Sequence, residues 1–181
     1  MSCSALSDSI CFFTVRAAHR GTDVFLREID LLRAAIRETK ARHPFEICEI
    51  VVLGDVIHAL WRLPADDTDF ALRWRMVRTL LARRVAGAAG AETARPGRLW
   101  QRRYWEHPIR DANDLAAHRH MIWTAPVQAG LVTRPEDWLH SSIHRAKAEG
   151  VYDATAPVRP AYLPALAGVT RAPYRLSGAR A

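Results

Sequence analysis

HPFEICEIVVLGDVIHALWRLP, His43 to Pro64, decides the fold. Phe45 to Leu53 and Val56 to Leu63 are two runs of apolar, largely β-branched residues separated by Gly54-Asp55, which predicts an antiparallel strand pair with a tight connection. His43-Pro44 ends whatever precedes it, because the residue before a proline is driven out of the helical region, and Pro64 closes the second strand. Upstream, Phe25, Ile29, Leu32 and Ile36 recur at helical spacing between Thr22 and Arg42, with Thr22 as candidate N-cap. Before that helix, Ile10 to Val15 reads as a buried strand.

Downstream, Asp69 opens a helix whose apolar face is Phe70, Trp74, Val77 and Leu81, leaving Arg75, Arg78 and Arg83 on other faces. Gly87 to Gly97 reads as a loop, and Leu99 to Ile109 as a fourth strand. Asp111 and Asp114 begin a further helix, expected to stop or kink by Pro126. The order strand, helix, strand, strand, helix, strand, helix predicts an α+β fold, a ferredoxin-like antiparallel sheet covered on one face by helices. One domain is expected over residues 10–150, followed by an irregular basic tail over 151–181, and no internal repeat is visible.

The composition excludes several classes. The chain has 181 residues with 49% apolar side chains, too short for a large multidomain enzyme and too apolar for a disordered chain. No run is long enough to span a bilayer, and Met1 to Ser9 lacks the basic start of a secretory signal, so the expectation is a soluble, cytoplasmic protein with no membrane partner. Cys3, Cys11 and Cys48 form no CxxC pair, which predicts buried or incidental thiols and neither a disulfide framework nor a zinc knuckle.

Net charge is +7, and it is not spread evenly. Residues 70–110 carry ten arginines and no lysine against two acidic residues, more than the whole excess, while residues 1–69 are net acidic. Trp74, Trp100, Tyr104 and Trp105 lie among those arginines. Guanidinium forks that grip phosphate, interleaved with rings that stack on unpaired bases, are what single-stranded nucleic acid requires; a solvated helix face beside core aromatics would give the same pattern.

Several stretches together resemble the single-tyrosine HUH transposases, and within them the REP-associated tyrosine transposases. They are Phe12 to Val15 (FFTV), His43 to Pro64, Asp69 to Arg78 (DFALRWRMVR), Leu99 to Asp111 (LWQRRYWEHPIRD), Ala125 to Trp138 (APVQAGLVTRPEDW) and Ser141 to Arg145 (SSIHR). The resemblance implies an HUH-type sandwich, a single-stranded or hairpin DNA partner, and strand transfer. In that reaction a tyrosine attacks a phosphodiester while Mg or Mn, held by two histidines and a carboxamide, polarises the phosphate. Two histidines at i and i+2 share a strand face, and a tyrosine and a carboxamide four residues apart share a helix face.

At the positions the resemblance assigns, this chain has kept one group. Val56 stands where the first histidine belongs and His58 at the second; Met121 stands at the nucleophile position, Trp123 at a further family histidine, and Ala125 at the carboxamide. The implied metal would have His58 alone, so no cofactor is expected. The arginine-rich segments need no metal, and Arg73, Arg75, Arg78, Arg83, Arg84, Arg98, Arg102, Arg103, Tyr104 and Trp105 are the expected DNA-binding residues, with Arg159, Arg171, Arg175 and Arg180 as a candidate basic arm.

The leading expectation is thus a transposase-like DNA-binding protein, possible as a homodimer, that has lost strand transfer. The alternatives are an active nuclease or transposase with a centre rearranged around Tyr104 and His58, and an RNA-binding or structural α+β module. His118 shares a helix face with Leu115 and Ile122 and is expected to be a core histidine, near the old metal position at most; His120 is expected to be solvated. His19, His107, His140 and His144 show no ligand spacing.

Overall fold

The first strand, β1 (Ile10–Arg16), alternates two sets of side chains, and both sets are buried. In the computed structural model, which describes residues 10–88 and 99–153, β1 pairs on one side with β3 (Val56–Arg62) and on the other with β4 (Trp105–Pro108). β2 (Glu46–Val52) pairs with β3, so the sheet runs β2-β3-β1-β4, every pair antiparallel. The β2–β3 turn is the expected one at Gly54-Asp55, closed by Leu53 N–H donating to Val56 C=O at 2.8 Å.

One face of the sheet presents Cys11, Phe13, Val15, Ile57, Ala59 and Trp61 to helices α2 (Ile29–Arg42) and α3 (Phe70–Ala88). The other presents Ile10, Phe12, Val51, Val56 and Leu60 to α4 (Ala112–Gln128) and α5 (Ile143–Ala148). The sheet is therefore covered on both faces, where the sequence pattern predicts one. The reason is α4, whose Leu115, Met121, Ile122 and Ala125 need apolar partners and find them on the second face. The outer edge of β2 is also covered: Val52 N–H donates to His140 C=O at 2.9 Å and Ser142 N–H to Ile50 C=O at 2.8 Å.

Some local signals act as the sequence predicts, and others are overridden by tertiary contacts. Asp69 caps α3 by accepting from Leu72 N–H at 2.7 Å, and Asp111 caps α4 by accepting from Asp114 N–H at 2.8 Å. Thr22 caps nothing; its hydroxyl turns back to His19 C=O, Asp23 takes the N-cap place, and a short α1 (Val24–Arg27) breaks at Glu28 before α2 begins. Pro126 does not stop α4, because in the last turn it removes only one helical hydrogen bond. The stop is Gly130, with φ +71°, whose N–H reaches Val127 C=O while Leu131 N–H reaches Pro126 C=O, a pair of bonds that needs a left-handed residue. The fourth strand is shorter than Leu99 to Ile109, because Trp100 turns into the core against Phe25, ring centroids 4.6 Å apart, and regular pairing begins only at Trp105.

Cys11 is a free thiol, pushed up to about 12 by burial. Cys48 is disulfide-bonded, so the expectation of three incidental thiols does not hold for it. Among the described residues no helix is long and apolar enough to cross a membrane.

On the α2/α3 face the tightest joint is Trp61 on β3 against Trp74 on α3, ring centroids 4.1 Å apart and 9° from parallel, both essentially unexposed. Trp74→Ala leaves a ring-sized void there and is expected to cost about 3–5 kcal/mol, read as a lower urea midpoint.

Candidate functional site

The positions at which the resemblance places catalysis do meet, on the α4 side of the sheet. Val56 and His58 share a face of β3, and Asp114, His118, Met121 and Ala125 recur along one stripe of α4. Val56, Met121 and Ala125 belong to one apolar core with Phe12, Leu60 and Ile122. His58 lies against Phe12, its Nδ1 2.9 Å from Thr14 Oγ1 and its Nε2 enclosed without a partner. Burial, helped by the nearby Arg16 charge, lowers its pKa to about 3, so the ring is neutral. One imidazole among methyl and thioether groups does not fit Mg or Mn, which demand several oxygen-rich ligands.

Beside this core lies a buried carboxylate. A bulge in β2 between Ile47 and Glu49 puts these two residues on opposite faces, where an unbroken strand would keep them on one. Glu49 thereby faces α4, accepting from Ser142 Oγ at 2.5 Å and from Trp123 Nε1 at 3.0 Å, with Arg119 Nε at 3.5 Å. Burial still holds its pKa above the usual carboxylate value. Trp123, at another position of the resemblance, is thus fixed by a structural bond.

Tyr104 lies on the opposite side of the sheet. Its ring packs against Phe13 at 6.0 Å and Trp74 at 6.2 Å, in the α2/α3 core, whereas His58 pairs across β1 with Thr14 on the α4 face. The rearranged centre built from Tyr104 and His58 is not assembled. The phenol is also pushed up by burial and by Glu106, away from the nucleophilic phenolate.

The arginines divide by exposure. Arg73, expected on the DNA surface, is instead buried and structural: its guanidinium donates to Asp67 Oδ2 at 2.6 Å, Asp69 C=O at 3.0 Å and Pro44 C=O at 2.8 Å. Arg84 is engaged by Glu38, tying α3 to α2. Arg78 donates to Gln101 C=O at 2.5 Å and lies over the Trp100 ring, whose Nε1 donates back to Arg78 C=O at 3.1 Å. That clasp brings the Arg102-Arg103 segment alongside α3. Arg75 and Arg83 on α3 and Arg102 and Arg103 ahead of β4 remain exposed; Trp105, on the α4 face, is half-exposed and lies parallel to His107 at 5.6 Å. Arg98 and the arginines from 159 onward lie outside the described residues.

The structure also assembles a group that no linear spacing announces. His107 Nε2 is 2.8 Å from Asp114 Oδ2, and His118 Nδ1 is 3.1 Å from Asp114 Oδ1. His118 is buried as expected, but as the partner of a carboxylate. The available signals are an Asp and a His four residues apart on α4 and a histidine on the strand leading into it. His120 is half-buried rather than fully solvated.

No family profile matches the chain. Among curated proteins, the REP-associated tyrosine transposase of Escherichia coli (strain K12) is 37% identical over 141 residues, 78% of this chain and 80% of that protein. A Haemophilus influenzae protein (strain Rd KW20) bearing the same family name is 37% identical over 144 residues, 76% of this chain and 82% of that one. A solved structure of a REP-associated tyrosine transposase bound to a REP hairpin matches with a TM-score of 0.75 at 34% identity, covering 87% of this chain and 90% of that one.

Two outcomes follow from the geometry. Because the folded chain holds His58 neutral down to about pH 3 while the unfolded chain protonates it near 6.5, stability is present above about pH 6.5 and lost as pH falls toward 3. His58 contributes about 2 kcal/mol of loss between pH 7 and pH 5, and His58→Gln should remove that share of the slope in denaturation at the two pH values. Arg73→Ala strips a buried, ion-paired guanidinium and is expected to cost about 3 kcal/mol or more, whereas Arg75→Ala leaves the denaturation midpoint unchanged.

Proposed function

The chain belongs to the REP-associated tyrosine transposases, and we propose that within that family it binds hairpin or single-stranded DNA without carrying out strand transfer. The observation that carries this reading is the replacement of nucleophile, metal and amide positions by Met121, Val56 and Ala125, all three packed into one core. A buried thioether has no proton to lose and no access to a phosphodiester. His58, the one group kept, is neutral, enclosed and turned to Thr14.

Support for the DNA partner comes from two directions. The solved relative was determined bound to a REP hairpin. In this chain the exposed Arg75, Arg83, Arg102 and Arg103 supply phosphate contacts, and Trp105 offers a ring to an unpaired base. Arg78 acts on this surface indirectly, by holding the backbone of residue 101 against α3.

The test is incubation with a REP-like hairpin oligonucleotide in the presence of Mg²⁺ or Mn²⁺. The expected outcome is a salt-sensitive mobility shift with no nick and no covalent adduct; a protein–DNA band that survives denaturation would overturn the loss of strand transfer. The double variant Arg102→Ala, Arg103→Ala should weaken binding and lower the slope of log affinity against log salt by about two, one for each phosphate left without its guanidinium. An unchanged slope would remove this segment from the interface.

A further inference from the structure

His107, Asp114 and His118 bring three metal-capable side chains from two elements into one cluster. His107 lies on β4 and pairs across the sheet with Phe12; Asp114 and His118 are one turn apart on α4. One donor atom from each lies within 4.8 Å of the other two. The two imidazoles address different oxygens of the same carboxylate, at 2.8 and 3.1 Å. In a tetrahedral site with ligands about 2.1 Å from the metal, neighbouring donors sit about 3.3 Å apart, so three donors already within 4.8 Å of one another need only small side-chain rotations to meet on one ion.

The three side chains are also held in place. Phe12 packs on the His118 ring at 4.7 Å, and His107 lies between Trp105 at 5.6 Å and His118 at 4.8 Å. Asp114 accepts from Arg110 N–H at 3.1 Å. His118 Nδ1 also lies 2.8 Å from Asp114 C=O, while its Nε2 is buried without a partner. Among the described residues the arginine recorded against this carboxylate is Arg110, whose Nε lies 3.3 Å from Asp114 Oδ2 and whose side chain is 75% exposed.

We infer that His107, Asp114 and His118 form a binding site for a divalent transition-metal ion of the zinc type. Two imidazole nitrogens and one carboxylate oxygen are a borderline donor set that suits Zn²⁺ or Co²⁺ and not Mg²⁺. Three protein ligands leave a fourth position for water or an incoming oxygen, on the His107 side, where that side chain is 25% exposed. The site adjoins the position the resemblance assigns to the metal and shares no residue with it: the Phe12 ring packs against both His58 and His118. Along α4, His118 precedes Met121 by about 4.5 Å of helix axis. The inference does not depend on DNA binding and stands or falls with the metal alone.

The test uses the full chain, stripped with a chelator and titrated with ZnCl₂ or CoCl₂. One ion per chain is expected to bind saturably, with Co²⁺ giving a visible absorption band and Mg²⁺ neither binding nor competing. His107→Gln and His118→Gln should each weaken binding by at least about 10- to 100-fold, the loss that even outer-shell partners cause, and His120→Gln, on the same helix outside the cluster, should leave it unchanged. Absence of saturable Zn²⁺ and Co²⁺ binding would overturn the inference, as would binding that survives both variants or is equally lost in His120→Gln. If His118→Gln fails to fold, His107→Gln, at the half-exposed edge of the sheet, decides.

Discussion

β1 is buried on both faces, and that constraint organises the molecule. Its odd-numbered side chains, Cys11, Phe13 and Val15, must satisfy the core under α2 and α3, while Ile10 and Phe12 satisfy the core under α4. A sheet used in this way is an electrically quiet wall between two compartments. Groups on neighbouring strands share chemistry only if their parity matches, which is why Tyr104 and His58, close in topology, belong to different cores. On the α4 side, Val56, His58, Thr14, Phe12, Trp105 and His107 all have the parity that faces the helix.

α4 then decides what that compartment contains. Its sheet-facing stripe runs Asp114, His118, Met121, Ala125, polar at the β4 end and apolar toward the β2 side. The polar capacity of this face is thus concentrated at the β4 edge, and the middle of the face is core. Glu49 is the exception, and it is tolerated because Ser142, Trp123 and Arg119 surround it and because the β2 bulge aims it at them. A buried acid with that many partners fixes α4 against β2 and the 138–142 segment together.

Much of this is legible in the sequence. The Gly54-Asp55 connection and the Asp69 and Asp111 caps are local patterns that the structure keeps. What escapes depends on tertiary partners. Arg73 reads as surface charge until Asp67, Asp69 and Pro44 fold over it. Pro126 reads as a stop until Gly130 supplies a better one a few residues on. The Ile47/Glu49 bulge has no composition signal, and without it the facing of Glu49 is read on the wrong side. His107, Asp114 and His118 come from two elements, and no linear spacing rule joins a strand residue to a helix stripe.

The bond between Trp123 and Glu49 ties together two positions 74 residues apart in the chain. A histidine at 123 would be shorter than the indole that reaches the carboxylate at 3.0 Å, and a buried acceptor deprived of a donor costs on the order of 1–3 kcal/mol. Position 123 is therefore not free to vary on its own: Glu49 has to be neutralised or given another donor before that side chain can change without loss of fold.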